Sequence, residues 1–215
     1  MKGFDSARAG IVIYDLTAVI QKNRDYLSEI DGATGDGDHG VNMSKGFTMC
    51  REQLEGKADT IGFAGALGTL GNILLSEIGG SMGPLYGSFF LEMADSVRGR
   101  GRIGGEEYLA MLKAGISGIT AIVPTALGDK TLLDVLIPSA GAFEAALGGA
   151  GDFEGALCQL KDTAREKWEA TKDMVAKVGR ASRLGERSRG FYDAGATSCM
   201  LILTSMADSV IKLLE

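Results

Sequence analysis

The chain is organised around residues 31–43, Asp31-Gly-Ala-Thr-Gly-Asp36-Gly-Asp38-His39-Gly-Val-Asn-Met43. Three carboxylates, those of Asp31, Asp36 and Asp38, fall within eight residues among glycines, and the only histidine of the chain follows directly. Carboxylates held a few Å apart raise each other's pKa, so such a loop needs a counter-charge. A hard divalent cation would supply it. Mg²⁺ is favoured over Ca²⁺, because Mg²⁺ takes few carboxylates and leaves positions for water or phosphate.

Three other interpretations of this stretch compete with a magnesium site. The run Gly35-x-Gly37-x-x-Gly40 matches the dinucleotide-binding fingerprint. That fingerprint needs a buried strand before it and no acid facing the pyrophosphate, and both conditions fail here. An EF-hand loop would place a glutamate at its twelfth position, where this sequence has Asn42. The third interpretation, an acidic turn that only caps the next helix, stays open.

Length and composition favour a single globular domain over residues 1–215. A domain of this size buries roughly 70% of the surface that its unfolded chain exposes. The hydrophobic share of 45% and the charged share of 23% are ordinary for a soluble protein. The net charge of -6 argues against nucleic acid and anionic membranes as partners, since both need clustered lysine and arginine.

The cysteines and the N-terminus predict a cytoplasmic protein. Cys50, Cys158 and Cys199 are odd in number, widely spaced and set in apolar helical patterns, so we expect buried, reduced thiols. The first residues have no apolar leader segment, and no run approaches the ~18 apolar residues of a membrane span. We therefore expect no membrane association.

Apolar residues recur with helical spacing along the chain, and no stretch alternates apolar and polar residues for long enough to be a confident strand. The pattern predicts an all-α fold, an eight-helix antiparallel up-and-down barrel or bundle. The first helix should end just before Asp31, and the second should begin near His39. The predicted ranges are about 6–27, 41–54, 60–78, 84–97, 106–123, from the end of the 126–131 loop to 147, 153–178 and 196–214.

Four glycine-rich segments separate these helices in a regular order. Residues 31–43, 79–83, 126–131 and 179–198 lie between helices 1 and 2, 3 and 4, 5 and 6, and 7 and 8. Alternate connections of an up-and-down bundle lie at the same end. We therefore expect all four segments to converge at one end.

That end would combine the acidic loop, helix N-termini, the turn Gly128-Asp-Lys-Thr131 and an arginine-rich loop that begins at Arg180. Helix N-termini and guanidinium groups bind phosphate oxygens, and Mg²⁺ neutralises phosphate charge. The inventory predicts a site for a Mg²⁺-bound nucleotide di- or triphosphate, although the Walker A pattern is absent. We expect His39 to donate a hydrogen bond to phosphate rather than to carry a covalent phosphoryl group.

Four segments together resemble the L subunit of dihydroxyacetone kinase, in the same order and over nearly the whole chain. They are Gly-Asp-Gly-Asp-His-Gly-Val-Asn-Met (35–43), Gly-Gly-Ser-Met-Gly-Pro-Leu-Tyr-Gly (79–87), Gly-Asp-Lys-Thr (128–131) and Gly-Arg-Ala-Ser-x-Leu-Gly-Glu-Arg-Ser (179–188). The resemblance implies an eight-helix barrel that holds a nucleotide at one end.

The resemblance also implies roles for individual residues. Asp31, Asp36 and Asp38 would be the ligands of two Mg²⁺ ions, and together with Arg180 they are the expected catalytic residues. Adenine would lie between apolar walls. The implied nucleotide-binding residues are His39, Gly40, Val41, Asn42, Ser81, Met82, Thr131, Leu132, Arg180, Asp193, Ala194 and Gly195, of which Met82 and Leu132 form the adenine walls.

The sequence departs from the family pattern at two positions. Val123 stands where some relatives have glycine, and Ala194 replaces the proline of an Asp-Pro-Gly turn. Both positions bear on how the nucleotide fits and how firmly it is retained.

In this family the L chain holds the nucleotide, and a K-type subunit binds the short ketose covalently through its own histidine. In one mode, ADP stays bound as a coenzyme and an M-type subunit of the phosphotransferase system rephosphorylates it. In the other mode, ATP exchanges and the L and K modules are usually fused. This chain stands alone, which favours the first mode. Two alternatives stay open: an ATP-dependent ketose or sugar-alcohol kinase subunit, and a nucleotide-sensing regulator that acts on a transcription factor.

Overall fold

The computed structural model describes residues 2–57, 60–149 and 152–215. These residues form nine α-helices and two short strands, so the all-α prediction is confirmed. The elements in chain order are β1 Gly3–Asp5, α1 Ile11–Lys22, α2 Arg24–Thr34, α3 His39–Gln53, α4 Phe63–Glu77, α5 Met82–Ser96, β2 Arg102–Gly104, α6 Gly105–Thr120, α7 Leu133–Gly148, α8 Phe153–Ala170 and α9 Ala194–Leu213. Three 3₁₀ segments cover Ser6–Arg8, Thr171–Asp173 and Ala181–Ser188.

Eight of the helices close into a ring. Each helix from α3 to α8 packs against the next one in the chain, α9 packs against α1, and α1 packs against α3. The predicted eight-helix barrel is therefore present. The additional helix, α2, contacts α3 and α9 and carries the first aspartate of the acidic stretch.

The prediction of one continuous first helix over 6–27 is wrong. The chain interrupts the helix at Asn23, whose side-chain amide donates a 2.8 Å hydrogen bond to the carbonyl of Val19. Asparagine side chains compete with the helix for backbone hydrogen bonds in this way. Helix α2 begins directly afterwards and continues to Thr34, so Asp31 lies in its last turn rather than beyond a helix end.

Three-residue elements and an early helix end also differ from the prediction. Strands β1 and β2 pair antiparallel with Phe4 opposite Ile103, and they are too short for a period-two pattern to show in the sequence. The seventh predicted helix, 153–178, ends as α8 at Ala170, where a 3₁₀ turn begins. The chain from there to α9 becomes a long connection at the end of the barrel.

Helix α9 is the most buried element of the barrel. It has the length and the mean hydropathy, 1.4, of a membrane span, but 72% of its most apolar 18-residue stretch is buried inside the protein. It packs against α1, α7 and α8. These contacts identify α9 as a core helix, and its N-terminus lies at the end of the barrel where the glycine-rich segments meet.

Two glycines set the position of helix N-termini at that end. A Cβ atom at Gly40 in α3 would lie 1.9 Å from the carbonyl oxygen of Arg24, and one at Gly83 in α5 would lie 1.9 Å from that of Ile78. Only glycine permits these approaches. The first turns of α3 and α5 are therefore fixed against the elements that precede them.

The cysteines follow the prediction only in part. All three are free, and Cys50 and Cys199 are buried, whereas Cys158 is exposed. The expectation of three buried thiols is wrong at Cys158, which lies on the solvent face of the amphipathic α8. Burial raises the pKa of Cys50 to about 12, so this thiol stays protonated.

Candidate functional site

The acidic stretch brings three carboxylates together. Asp31 lies in the last turn of α2, and Asp36 and Asp38 lie in the short connection to α3. One carboxylate oxygen from each of the three lies within 4.8 Å of the others. A Cβ atom at Gly35 would lie 2.6 Å from Asp31 Oδ1, so the chain can pass over that carboxylate only because residue 35 is glycine.

The charge of this cluster is only partly balanced by the protein. The guanidinium of Arg180 forms an ion pair with Asp36, and the backbone N–H of His39 donates to Asp31 Oδ2 at 3.4 Å. Three carboxylates and one guanidinium leave two negative charges. A half-exposed set of oxygen donors with excess negative charge fits a hard divalent cation such as Mg²⁺.

A cavity of about 300 Å³ lies next to the cluster. All four glycine-rich connections line it, so their predicted convergence at one end is confirmed. The lining includes most of the residues that the sequence indicated, namely Asp31, Asp36, Asp38, His39, Asn42, Ser81, Met82, Thr131, Leu132, Arg180, Asp193, Ala194 and Gly195, together with Val123.

Two of the indicated residues do not line the cavity. Gly40 is buried where α3 packs against α2, and the side chain of Val41 is 46% exposed. Both lie in the first turn of α3, whose backbone N–H groups have no partner within the helix. A contact of these groups with phosphate stays a prediction.

His39 is held from behind by a buried hydroxyl. Its Nε2 lies 2.9 Å from Ser198 Oγ on α9, and the ring is 9% exposed. Burial lowers the pKa of His39 to about 4, against a smaller opposing effect of Asp31. The imidazole is therefore neutral at physiological pH and has one N–H group to donate.

The turn that contains Lys130 anchors the loops around the cavity. Lys130 has a positive φ of 64° and is 2% exposed. Its Nζ donates to three backbone carbonyls, of Ser188 at 2.6 Å, Phe191 at 2.8 Å and Met174 at 3.1 Å. These bonds use all three N–H groups of an ammonium. Burial lowers the pKa of Lys130 without removing that role.

A buried aspartate completes this turn. The carboxylate of Asp134, in the first turn of α7, accepts from the backbone N–H of Thr131 at 2.7 Å and from that of Gly128 at 2.5 Å. The predicted Gly-Asp-Lys-Thr turn is thus a support for the long connection before α9. Thr131 and Leu132 are presented to the cavity by it.

The arginine-rich loop contributes one guanidinium to the cluster. Arg180 precedes the 3₁₀ segment and reaches Asp36, while Arg183 lines a second recess beside it with Thr34 and Leu184. Arg189 instead pairs with Glu186 at 3.2 Å. Of the four arginines in residues 180–189, only Arg180 forms an ion pair with the three carboxylates among the described residues.

The N-terminus of α9 forms the remaining wall. Asp193 caps the helix by accepting from the backbone N–H of Ala196 at 2.7 Å. Burial raises the pKa of Asp193 to about 6, although its hydrogen bond to Ala196 and the charge of Lys130 act in the opposite direction. Ala194 and Gly195 follow at the cavity surface.

Sequence reasoning missed the hydrogen-bond roles of several residues around the site. Lys130, Tyr86 and Ser198 lie in segments that the sequence indicated, but no local pattern predicts their partners or the role of Asp134. Tyr86 and Ser198 are 112 residues apart in the chain, and Lys130 and Phe191 are 61 apart. The signal for such roles lies in the tertiary structure alone.

The fold and the site define a class: a closed helical barrel with a cluster of three carboxylates and a loop-lined cavity at one end. The chain belongs to the DAK2 domain family, whose model matches residues 33–208. The family resemblance carried by the four sequence segments is confirmed.

Two curated relatives cover most of the chain. One is phosphoenolpyruvate-dependent dihydroxyacetone kinase 2, ADP-binding subunit DhaL, of Listeria innocua, 34% identical over 97% of this chain and 96% of the relative. The other is the corresponding ADP-binding subunit DhaL of Escherichia coli, 36% identical over 88% of this chain and 90% of the relative.

A solved structure has the same fold. It is the dihydroxyacetone kinase from C. freundii in complex with AMP-PNP and Mg²⁺, with a TM-score of 0.70 and 21% identity, matched over 94% of this chain and 33% of that one.

Proposed function

We propose that this chain is the nucleotide-binding subunit of a dihydroxyacetone kinase, a phosphotransferase. It holds ADP or ATP with Mg²⁺ and transfers a phosphoryl group to dihydroxyacetone or a related short ketose on a separate K-type subunit. The observation that carries the proposal is the convergence of three carboxylates and Arg180 on one cavity. The names of the two curated relatives, both ADP-binding subunits of such kinases, support it.

The proposed metal ligands are Asp31, Asp36 and Asp38, and the proposed number of Mg²⁺ ions is two. Three carboxylates offer enough oxygens to be shared by two ions that still keep positions for phosphate oxygens and water. When bound, Mg²⁺ neutralises the charge on the phosphate oxygens and orients them.

In the proposed site, Arg180 changes partner when the cation binds. Its guanidinium now neutralises Asp36. A cation on that carboxylate would take over this charge and leave the guanidinium fork for phosphate oxygens. We propose this contact to the transferred phosphoryl group as the catalytic role of Arg180.

The remaining nucleotide contacts follow from what each wall offers. The first turn of α3 offers backbone N–H groups, including those of Gly40 and Val41. Such groups at a helix N-terminus bind anions, so they suit the phosphate oxygens. Met82 and Leu132 are 9% and 8% exposed and present an apolar surface suited to adenine. Ser81 and Thr131 offer hydroxyl groups.

We further propose that ADP remains bound as a coenzyme and that an M-type subunit of the phosphotransferase system rephosphorylates it. The support is that both curated relatives are named as phosphoenolpyruvate-dependent. Free thiols at all three cysteines suit the reducing cytoplasm, which is the proposed location.

Native mass spectrometry of the purified protein tests the nucleotide proposal directly. We expect one ADP with Mg²⁺ per chain, retained through dialysis and released by a chelator. Reconstitution with a K-type subunit should then transfer phosphate only when the phosphoenolpyruvate-linked proteins are present. Rapid exchange with ATP and transfer without those proteins would instead assign an ATP-dependent kinase, and nucleotide binding without any transfer would favour the regulator.

The metal ligands are tested by a matched pair of variants. Asp38→Asn removes one charged ligand, so we expect it to abolish Mg²⁺-dependent ADP retention while circular dichroism stays helical. Asp208→Asn changes a half-exposed carboxylate on α9 that pairs with Lys161, and it should retain ADP. Equal retention by the two variants would refute the metal assignment.

A further inference from the structure

A chain of buried hydroxyl groups leads to the imidazole of His39. Tyr86 OH lies 2.7 Å from Ser198 Oγ, and Ser198 Oγ lies 2.9 Å from His39 Nε2. The Tyr86 side chain is 2% exposed and Ser198 is 0% exposed. Burial raises the pKa of Tyr86 well above its usual value, so the phenol keeps its proton and can donate it to Ser198.

The hydroxyl groups can be aligned in one direction along this chain. Tyr86 OH lies closer to Ser198 Oγ than to its other acceptor, the carbonyl of Gly195 at 3.2 Å. The Ser198 hydroxyl can donate either to His39 Nε2 at 2.9 Å or to the same carbonyl at 3.1 Å. When each hydroxyl donates to the next group along the chain, the order is Tyr86 to Ser198 to His39 Nε2. Hydrogen bonds aligned in this way strengthen one another.

We propose that Tyr86 and Ser198 are positioning residues that fix the ring of His39 as the Nδ1–H tautomer. A neutral imidazole has one N–H group, and a ring nitrogen that accepts a hydrogen bond cannot carry it. With Nε2 accepting from Ser198, the proton is at Nδ1. The opposite tautomer would leave only a lone pair at Nδ1.

The consequence for nucleotide binding rests on the proposed function, whereas the tautomer of His39 does not depend on it. His39 lines the cavity beside the carboxylates, where the proposed ligand is a nucleotide diphosphate. An anionic phosphate oxygen needs a donor, so only the Nδ1–H tautomer gives the ring a favourable contact. The buried hydroxyls therefore supply in advance the tautomer that an anion requires.

The single histidine of the chain makes the tautomer measurable without ambiguity. Long-range ¹H–¹⁵N correlation spectra of protein labelled with ¹⁵N-histidine distinguish a protonated Nδ1 from a protonated Nε2. We expect the wild type, free of nucleotide, to show Nδ1–H. Ser198→Ala should shift the signal towards Nε2–H, while Ser198→Thr, which keeps the hydroxyl, should restore Nδ1–H. A wild type protonated at Nε2, or a Ser198→Ala signal unchanged from the wild type, would overturn the proposal.

Nucleotide affinity provides a second readout. If the Nδ1–H form falls to about a fifth of the molecules in Ser198→Ala, the Kd for Mg²⁺-bound ADP should rise about fivefold. Ser139→Ala is the matched control, because Ser139 is also a fully buried helix serine but donates to the carbonyl of Val135. It should change neither the tautomer nor the affinity. An affinity of Ser198→Ala equal to that of the control would overturn the proposed role.

Tyr86→Phe provides an independent test in case the serine variants fold poorly. It keeps the ring that stacks on Phe90 at 6.4 Å and removes only the hydroxyl. We expect the His39 signal of this variant to shift partly towards Nε2–H. An unchanged signal would contradict the role of the hydroxyl chain. If the wild type shows Nδ1–H but binds no ADP, the proposed function fails while the tautomer assignment stands.

Discussion

Replacing Lys130 by methionine should loosen the arginine-rich loop and destabilise the protein. The ammonium holds the carbonyls of Met174, Ser188 and Phe191, which together span the connection from α8 to α9. Methionine fills a similar volume but donates no hydrogen bond. The three carbonyls would then lose their charged donor, and the one at Ser188 is fully buried.

The magnitude follows from these three contacts. A buried carbonyl left without a donor costs about 1–3 kcal/mol. The carbonyls of Met174 and Phe191 are only partly buried and can recover water, so each costs about 0.5–1 kcal/mol. We expect a loss of about 3 kcal/mol in the free energy of unfolding, or roughly 6–12 °C in Tm for a chain of this length. The Kd for ADP should rise as well, because Arg180 and Asp193 lie on the released connection.

Urea unfolding and amide hydrogen exchange over residues 174–191 measure these effects. Lys177→Met is the matched control: the Lys177 side chain is 62% exposed and makes one ion pair with Asp129 at 3.4 Å. An exposed pair of this kind contributes about 0–1 kcal/mol. If Lys130→Met is no more destabilising than Lys177→Met, and exchange over the connection is unchanged, then the ammonium does not hold the loop.

Three further predictions concern stability. Asp152→Ala removes the N-cap of α8, which accepts from Gly155 N at 2.8 Å, and should lower the free energy of unfolding by about 1 kcal/mol in urea titrations. Tyr108→Phe should leave it unchanged or raise it by up to about 1 kcal/mol, because the buried hydroxyl has no hydrogen-bond partner within the described residues; a loss above that amount would refute this. The folded pKa of Asp193, about 6, lies above its ordinary 3.8, so its contribution to stability is present below pH 4 and lost as the pH rises through 6. In the absence of metal, the free energy of unfolding of Asp193→Asn should therefore equal that of the wild type near pH 4 and exceed it by about 1–2 kcal/mol at pH 7.5. This is less than the full pKa shift implies, because the carboxyl is half-buried.

The sequence was sufficient for the fold class and for the convergence of the loops, because both depend on local patterns. Helical spacing of apolar residues identifies the helices, and their alternation brings residues 31–43 and Arg180 to one end. The break at Asn23 escaped prediction, since the apolar spacing continues through it and only a side-chain hydrogen bond interrupts the helix.

Support for the site was the part that the sequence could not predict. The glycine-rich turn suggested a phosphate contact at residues 128–131, whereas Lys130 is a buried anchor for a loop more than forty residues further along the chain. The hydroxyls behind His39 come from α5 and α9, which meet only in the folded barrel. Pairings between distant residues depend on packing, and no periodicity encodes them.

Helix α9 connects the ligand-binding cavity to the core of the barrel. The same helix that exposes its first turn to the cavity is enclosed along most of its length by α1, α7 and α8. Any molecule that tightens the first turn therefore reinforces the centre of the barrel, and its effect on melting should extend to the whole chain. Conversely, a substitution that opens a cavity near Leu203 or Met206, roughly two to three helical turns from the start of α9, should weaken the retention of ligand in the cavity.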